Sequence, residues 1–219
     1  MKEPNRERKN DIKYNVQLNE EQKEVKRLIR ENQIVVITGR AGCGKSLVSA
    51  QCALDFLFKK ECDKILITRA AVEVGNTLGF LPGSLNDKFD PYLEAFKENL
   101  TKCYDKVKIE QIINDGKVVA LPVQFIRGKT VDDILVVEEA QNLTKDEMLA
   151  ILTRLGKTGK IIINGDNEQT DITTKNGEMN GLSYVIELSK KIKEIKYVKL
   201  KENHRSDLVG KILDCEYKK

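Results

Sequence analysis

At 219 residues the chain is long enough for one sizeable domain with its own core, and at most small additions to it. Hydrophobic residues make up 40% and charged residues 33%, and no run approaches the length needed to cross a bilayer. The start, MKEPNRERKNDIKYN, has charge but no apolar centre and is not a secretory signal, so a soluble, cytoplasmic protein is expected. Five scattered cysteines without CxxC spacing argue against a disulfide framework and against a zinc site. The net charge of +4 permits a nucleic-acid partner without requiring one. No internal repeat or low-complexity linker divides the chain. Residues 1–16 are polar and expected as a flexible arm, with one domain over 17–219.

In chain order, Glu20–Arg30 is predicted as a helix with Val25, Leu28 and Ile29 on one face. Short Ile/Val-rich runs follow at Ile34–Thr38, Ile65–Thr68, Val118–Leu121, Ile134–Val137, Ile161–Asn164 and Tyr197–Leu200. They are nearly continuous rather than alternating, as expected of strands covered on both faces. Helical patterns fall between them at Lys45–Lys60, Asp90–Tyr104 and Thr144–Leu155, the last opening on the capping-box pair Thr144 and Glu147. The expectation is α/β, with a mostly parallel sheet flanked by helices. In such sheets ligands gather at the carboxyl ends of the strands.

The first predicted strand runs into Gly39-Arg40-Ala41-Gly42-Cys43-Gly44-Lys45-Ser46, followed by Leu47 in the next helix. This is GxxxxGK[ST] with a strand before it and a helix after it. Glycines let backbone amides turn inward around phosphate oxygens. Lys45 would reach the β- and γ-phosphates, and the Ser46 hydroxyl would ligate magnesium. By composition such a pattern arises in about one chain of this length in a hundred, and the strand–helix setting makes chance rarer. Cys43 could have a lowered pKa in this loop, although the plainer reading is a small residue whose backbone does the work.

Ile134–Val137 runs straight into Glu138 and Glu139. Phosphoryl transfer needs one carboxylate for the metal and one for the attacking water, and these are Glu138 and Glu139 respectively. The first is normally Asp. The extra methylene of Glu138 predicts weaker metal positioning or slower turnover, with nucleotide binding kept. After the next strand come Gly165, Asp166, Gln169 and Asp171, where a polar amide could sense the γ-phosphate. After the last come His204 and Arg205, and an arginine there can stabilise charge on the transferred phosphoryl group. Taken singly these are also an ordinary Gly-Asp turn and a surface arginine. His204, the single histidine, reads as a packing or capping residue. Gln22, in LNEEQ, could present its amide to adenine.

Together these residues resemble a known family. The phosphate loop is followed by ITRAAVEVGNTLGFLPGSLNDKFDPYLEAF, FIRGKT, VEEAQN and GDNEQTD, in an order similar to the PhoH-like family of P-loop ATPases. The resemblance runs from about Leu18 to Ile212, and LGFLPG, DPY and EAQN are its most specific features. It implies a single RecA-like domain related to the core of superfamily 1 helicases, with ATP as ligand and Mg2+ beside it. It places Gln22 at the adenine-reading glutamine, Gln169 at the γ-phosphate sensor and Arg205 near the catalytic arginine. Arg69 and Arg127 fall where family motifs face the nucleotide or a nucleic-acid strand. Glu138 for Asp and Ala70 for a common proline are departures. An attached nuclease domain, present in some relatives, is not expected.

The resemblance implies an ATPase coupled to single-stranded nucleic acid, RNA favoured over DNA. The competing readings are an ATP-dependent oligomeric binding protein with little turnover and, more weakly, a small-molecule kinase. A classical helicase has two RecA-like cores and this chain has room for one. Strand movement therefore implies a homo-oligomer, for which related ATPases suggest a hexamer.

Overall fold

The computed structural model describes residues 12–70, 85–167 and 179–202, together with His204, Leu208, Lys211 and Cys215; the side chains of 85–92 are outside that description. The elements are α1 (Glu20–Glu31), β1 (Ile34–Thr38), α2 (Lys45–Phe58), β2 (Ile65–Arg69), α3 (Leu85–Cys103), α4 (Lys106–Asn114), β3 (Val118–Ala120), α5 (Val123–Ile126), β4 (Ile134–Glu138), α6 (Lys145–Leu152), β5 (Lys160–Gly165), α7 (Gly181–Lys191) and β6 (Ile195–Lys199), with a 3-10 turn at Ala140–Asn142. The strands form one six-stranded sheet in the order β3-β2-β4-β5-β1-β6, every pairing parallel. No helix among the described residues is long and apolar enough to cross a membrane.

Strand parity divides the core into two layers. Val35 and Ile37 of β1, Val136 of β4 and Ile162 of β5 pack with α1–α4, while Val36, Leu135, Val137, Ile161 and Ile163 pack with α5–α7. Successive residues of a strand point to opposite faces, so a strand covered on both sides must be apolar at every position. That is the origin of the continuous Ile/Val runs. β6 departs from it: it starts two residues earlier than expected and is only partly covered, with Ile195 buried, Lys196 and Val198 half-buried, and Tyr197 and Lys199 exposed. It is an edge strand among the described residues, with one neighbour, β1.

Local signals act as expected at two helix starts. Thr144 Oγ1 accepts the Glu147 amide at 3.2 Å and Glu147 Oε2 accepts the Thr144 amide at 2.9 Å. Asn19 and Gln22 form the same reciprocal cap on α1. Three helices are additional to the sequence expectation: α4, α5 and α7. Within the expected arm, residues 1–11 lie outside the described residues. Tyr14 is packed on α2, its hydroxyl donating to Asp55 Oδ1 at 2.6 Å, and the Asn15 amide donates to the Cys103 carbonyl at 2.9 Å.

The strand order determines which side chains can meet at the carboxyl end of the sheet. β1 and β4 are not neighbours, because β5 lies between them. Whatever ends β5 therefore sits between the phosphate-loop strand and the carboxylate strand.

Candidate functional site

The loop leaving β1 turns through three positive φ values, Gly39 at 149°, Gly42 at 91° and Gly44 at 87°. Two of these glycines are also required for space. A Cβ on Gly44 would lie 2.3 Å from Gln22 Nε2, and one on Gly39 would lie 2.6 Å from the Leu200 carbonyl oxygen. Gly44 caps α2 with no side-chain hydrogen bond, so the first amides of that helix face the cleft without a side-chain acceptor. A helix start of this kind attracts anions through its free amides and its dipole. Lys45 Nζ folds back over the loop and donates to the Gly39 carbonyl and, at 3.2 Å, to the Arg40 carbonyl.

The loop opens onto a cleft of about 630 Å³. Its walls include Gln17 and Gln22 from the start of the chain, Ala41–Leu47 without Cys43, Asn99 and Lys102 of α3, Glu138 and Glu139, the β5 end Asn164–Asp166, and His204. The topology thus brings together the loop, Gln22 and both glutamates. Arg40 is not in this lining; it lines a smaller pocket of about 120 Å³ with Thr38, Asp166 and Tyr197. Cys43 is buried, and burial pushes its thiol up despite the nearby Lys45, against the lowered pKa considered for it. Arg69 lines a small adjoining pocket of about 110 Å³ with Ser46, Phe96 and both glutamates. Arg127 caps α5 away from the cleft, its carbonyl accepting from Arg154 at 3.1 Å. Gln169, Asp171 and Arg205 lie outside the described residues, as do LGFLPG and the side chains of DPY.

Glu138 is held at both oxygens. Ser46 Oγ donates to Oε2 at 2.9 Å, and Asn164 Nδ2 donates to Oε1 at 2.9 Å. Asn164 is fully buried and is held in turn by Ser49 of α2, whose hydroxyl lies 3.1 Å from its Oδ1. The parity of β4 and β5 explains the meeting. Glu138 shares the face of Val136, and Asn164 the face of Ile162, so both point under α2. Burial raises the Glu138 carboxyl to about 7, opposed by these two hydrogen bonds and by Lys45, and reinforced by Glu139. The full reach of glutamate is used here to contact Ser46 directly.

Glu139 sits at φ 51°, in the left-handed region that a non-glycine residue enters at a cost of roughly 1–2 kcal/mol. Such strain is typical of functional positions. The turn is secured by Gln141, whose Nε2 donates to Glu139 Oε2 at 2.6 Å while its Oε1 accepts the Asp166 amide at 3.0 Å. Gln141 thus ties the ends of β4 and β5 together. Asn164, Ser49 and Gln141 are not among the residues that the sequence marks out; the EAQN and INGD segments hold the signal. His204, expected to pack or cap, lies in the cleft wall.

The donor set fits magnesium. Ser46 Oγ and the Glu138 carboxylate are hard oxygen ligands, and the bare glycine cradle beside them leaves room for phosphate oxygens.

The family model described as PhoH-like protein matches residues 16–216. A PhoH-like protein of Synechocystis is 34% identical over 197 residues, covering 89% of this chain and 60% of the relative. A PhoH-like protein of Bacillus subtilis is 36% identical over 197 residues, covering 89% of this chain and 61% of the relative. The chain therefore spans about three-fifths of the length of these relatives. Among solved structures, the large terminase of a thermophilic bacteriophage superposes with a TM-score of 0.54 at 10% identity, over 91% of this chain and 50% of that one. That likeness concerns the fold, an all-parallel sheet flanked by helices. With the phosphate loop, the carboxylate strand and a family match over nearly the whole sequence in agreement, the chain belongs to the PhoH-like protein family.

Proposed function

We propose that this protein binds ATP with magnesium and hydrolyses it. The observation that carries this reading is the doubly held Glu138, in contact with the Ser46 hydroxyl and lining one cleft with Glu139 and Lys45. The phosphate loop and the α2 amides bind the triphosphate. Lys45 exchanges loop carbonyls for β- and γ-phosphate oxygens and so neutralises developing charge. Ser46 and Glu138 would hold magnesium, which would supply charge screening for the phosphates. Glu139, fixed by Gln141, orients the attacking water and takes its proton. Gln22 reads the adenine edge, and Gln169 and Arg205 act on the γ-phosphate as the family resemblance implies.

Coupling to single-stranded nucleic acid, with RNA favoured, belongs to the same reading. Its support is the family resemblance, the net charge of +4, Arg69 beside the carboxylates and the exposed Arg127. A homo-oligomer as the working unit is part of the same proposal. The test is steady-state ATP hydrolysis with magnesium, with and without single-stranded RNA, against Lys45→Ala. Turnover lost in the variant is the expected result, with stimulation by RNA. Turnover equal to that of the variant, with ATP still bound, would leave a nucleotide-controlled binding protein instead.

A further inference from the structure

Gln22 is anchored at both ends of its side-chain amide. Oε1 accepts the Asn19 backbone amide at 3.2 Å, and Nε2 donates to the Cys43 carbonyl at 3.3 Å. Asn19 Oδ1 accepts the Gln22 amide at 2.8 Å. These backbone partners settle which end of each amide carries the NH2 group. Both NH2 groups then face one atom, His204 Nε2, at 3.4 Å from Gln22 and 3.2 Å from Asn19. Two amide donors facing one ring nitrogen are both satisfied in the tautomer whose Nε2 accepts.

An accepting nitrogen in a five-membered aromatic ring is what N7 of a purine offers to a glutamine. Adenine adds a donor, its 6-amino group, for Gln22 Oε1; guanine would oppose that oxygen with its own carbonyl. We propose that the His204 imidazole stands in for the purine five-membered ring against Gln22, so that an adenine nucleotide must displace it to reach the site. This rests on the reading of Gln22 as the base-reading residue.

The imidazole is held where it competes. Its backbone amide donates to the Gly42 carbonyl of the phosphate loop at 3.1 Å. Upstream, the Lys201 and Glu202 amides donate to Glu21 Oε2 at 3.0 and 3.3 Å, and Asn19 Nδ2 donates to Glu202 Oε2 at 2.6 Å. The segment after β6 is thus latched to α1 and to the loop through exposed contacts, each weak enough to exchange. Base occupancy and the position of this segment become mutually exclusive, and Arg205 is the next residue along it.

The test is equilibrium binding of AMP-PNP, GMP-PNP and tripolyphosphate to the full chain and to His204→Ala. Removing a competitor worth about one hydrogen bond should tighten AMP-PNP roughly three- to tenfold and leave tripolyphosphate unchanged. Glu21→Ala, which loosens the latch but keeps the ring, should tighten AMP-PNP in the same direction. The gain from His204→Ala should vanish when Gln22→Ala is also present. Equal or weaker AMP-PNP binding by His204→Ala overturns the proposal, because the ring would then be a bystander or part of the bound site. If Gln22→Ala alone leaves the preference for AMP-PNP over GMP-PNP intact, the base reading itself fails and the competition falls with it. No AMP-PNP binding by either protein overturns both readings.

Discussion

Shortening Glu138 to the more usual aspartate should impair this protein. The Glu138→Asp change withdraws the carboxylate by about 1.5 Å, the length of one carbon–carbon bond. Both present contacts, from Ser46 Oγ and Asn164 Nδ2, are at 2.9 Å. Each would open to about 4 Å, beyond hydrogen-bonding reach, unless the backbone followed. Backbone adjustment is hindered because β4 is locked in register between β2 and β5, with Arg69 opposite Glu138. A hydrogen bond to a charged group contributes about 1.5–3 kcal/mol, and loss of both leaves buried Asn164 with an unmet donor.

Spread between ground state and transition state, losses of this size correspond to roughly a ten- to hundredfold fall in turnover at saturating ATP and magnesium. The magnesium concentration for half-maximal rate should also rise. The assay is steady-state hydrolysis over a magnesium titration, with Asn164→Ala and the double variant beside it. Because Asn164 acts on the rate through Glu138, the double variant should lose less than the sum of the two single losses. A Glu138→Asp protein at least as fast as the parent at every magnesium concentration would refute the reasoning. It would mean that the contacts with Ser46 and Asn164 do not position the carboxylate for turnover.

Other expectations concern the same site. Without metal, the folded-state carboxyl of Glu138 at about 7 lies above its ordinary 4.5, so the folded protein holds that proton more tightly than the unfolded chain. Stability should therefore fall as pH rises from 4.5 through 7, by up to about 3 kcal/mol from this group. Urea unfolding in chelator between about pH 5 and 8 should show a downward slope that Glu138→Gln removes; equal slopes in the two proteins would exclude the group as its source. Gly44→Ala forces a side chain into φ 87° and places Cβ 2.3 Å from Gln22 Nε2. ATP affinity measured by calorimetry should drop at least about tenfold, and unchanged affinity would show that the cradle tolerates a side chain.

The layered sheet is legible in the sequence because burial on both faces leaves a mark at every strand position. The runs at Ile34–Thr38 and Ile134–Val137 carry it plainly. β6 is displaced from its expected run because an edge strand is only partly covered: within it Ile195 alone is buried, and Lys196 and Lys199 break the apolar run. The 3.6-residue pattern is faint in α4, which buries only Ile109 and Ile112. In the four residues of α5 there is no full period to detect. The phosphate loop is legible for a different reason. Phosphate binding needs bare backbone at fixed spacing, and only glycine supplies it at Gly39 and Gly44.

The residues that support the loop's partners are hidden because their role depends on strand order rather than on local pattern. Asn164 lies near the end of a strand that is distant in sequence from Glu138 and from Ser49. Only the insertion of β5 between β1 and β4 brings the three together. His204 reads as a packing residue along the chain on the same ground. Its position in the cleft results from β6 pairing with β1, which delivers the chain after β6 to the mouth of the phosphate loop. A longer carboxylate in a short-carboxylate position looks like erosion of a site when read along the chain. In the folded sheet Asn164 and Ser46 are spaced for that length, and the departure from aspartate becomes half of a matched pair whose other half is Asn164.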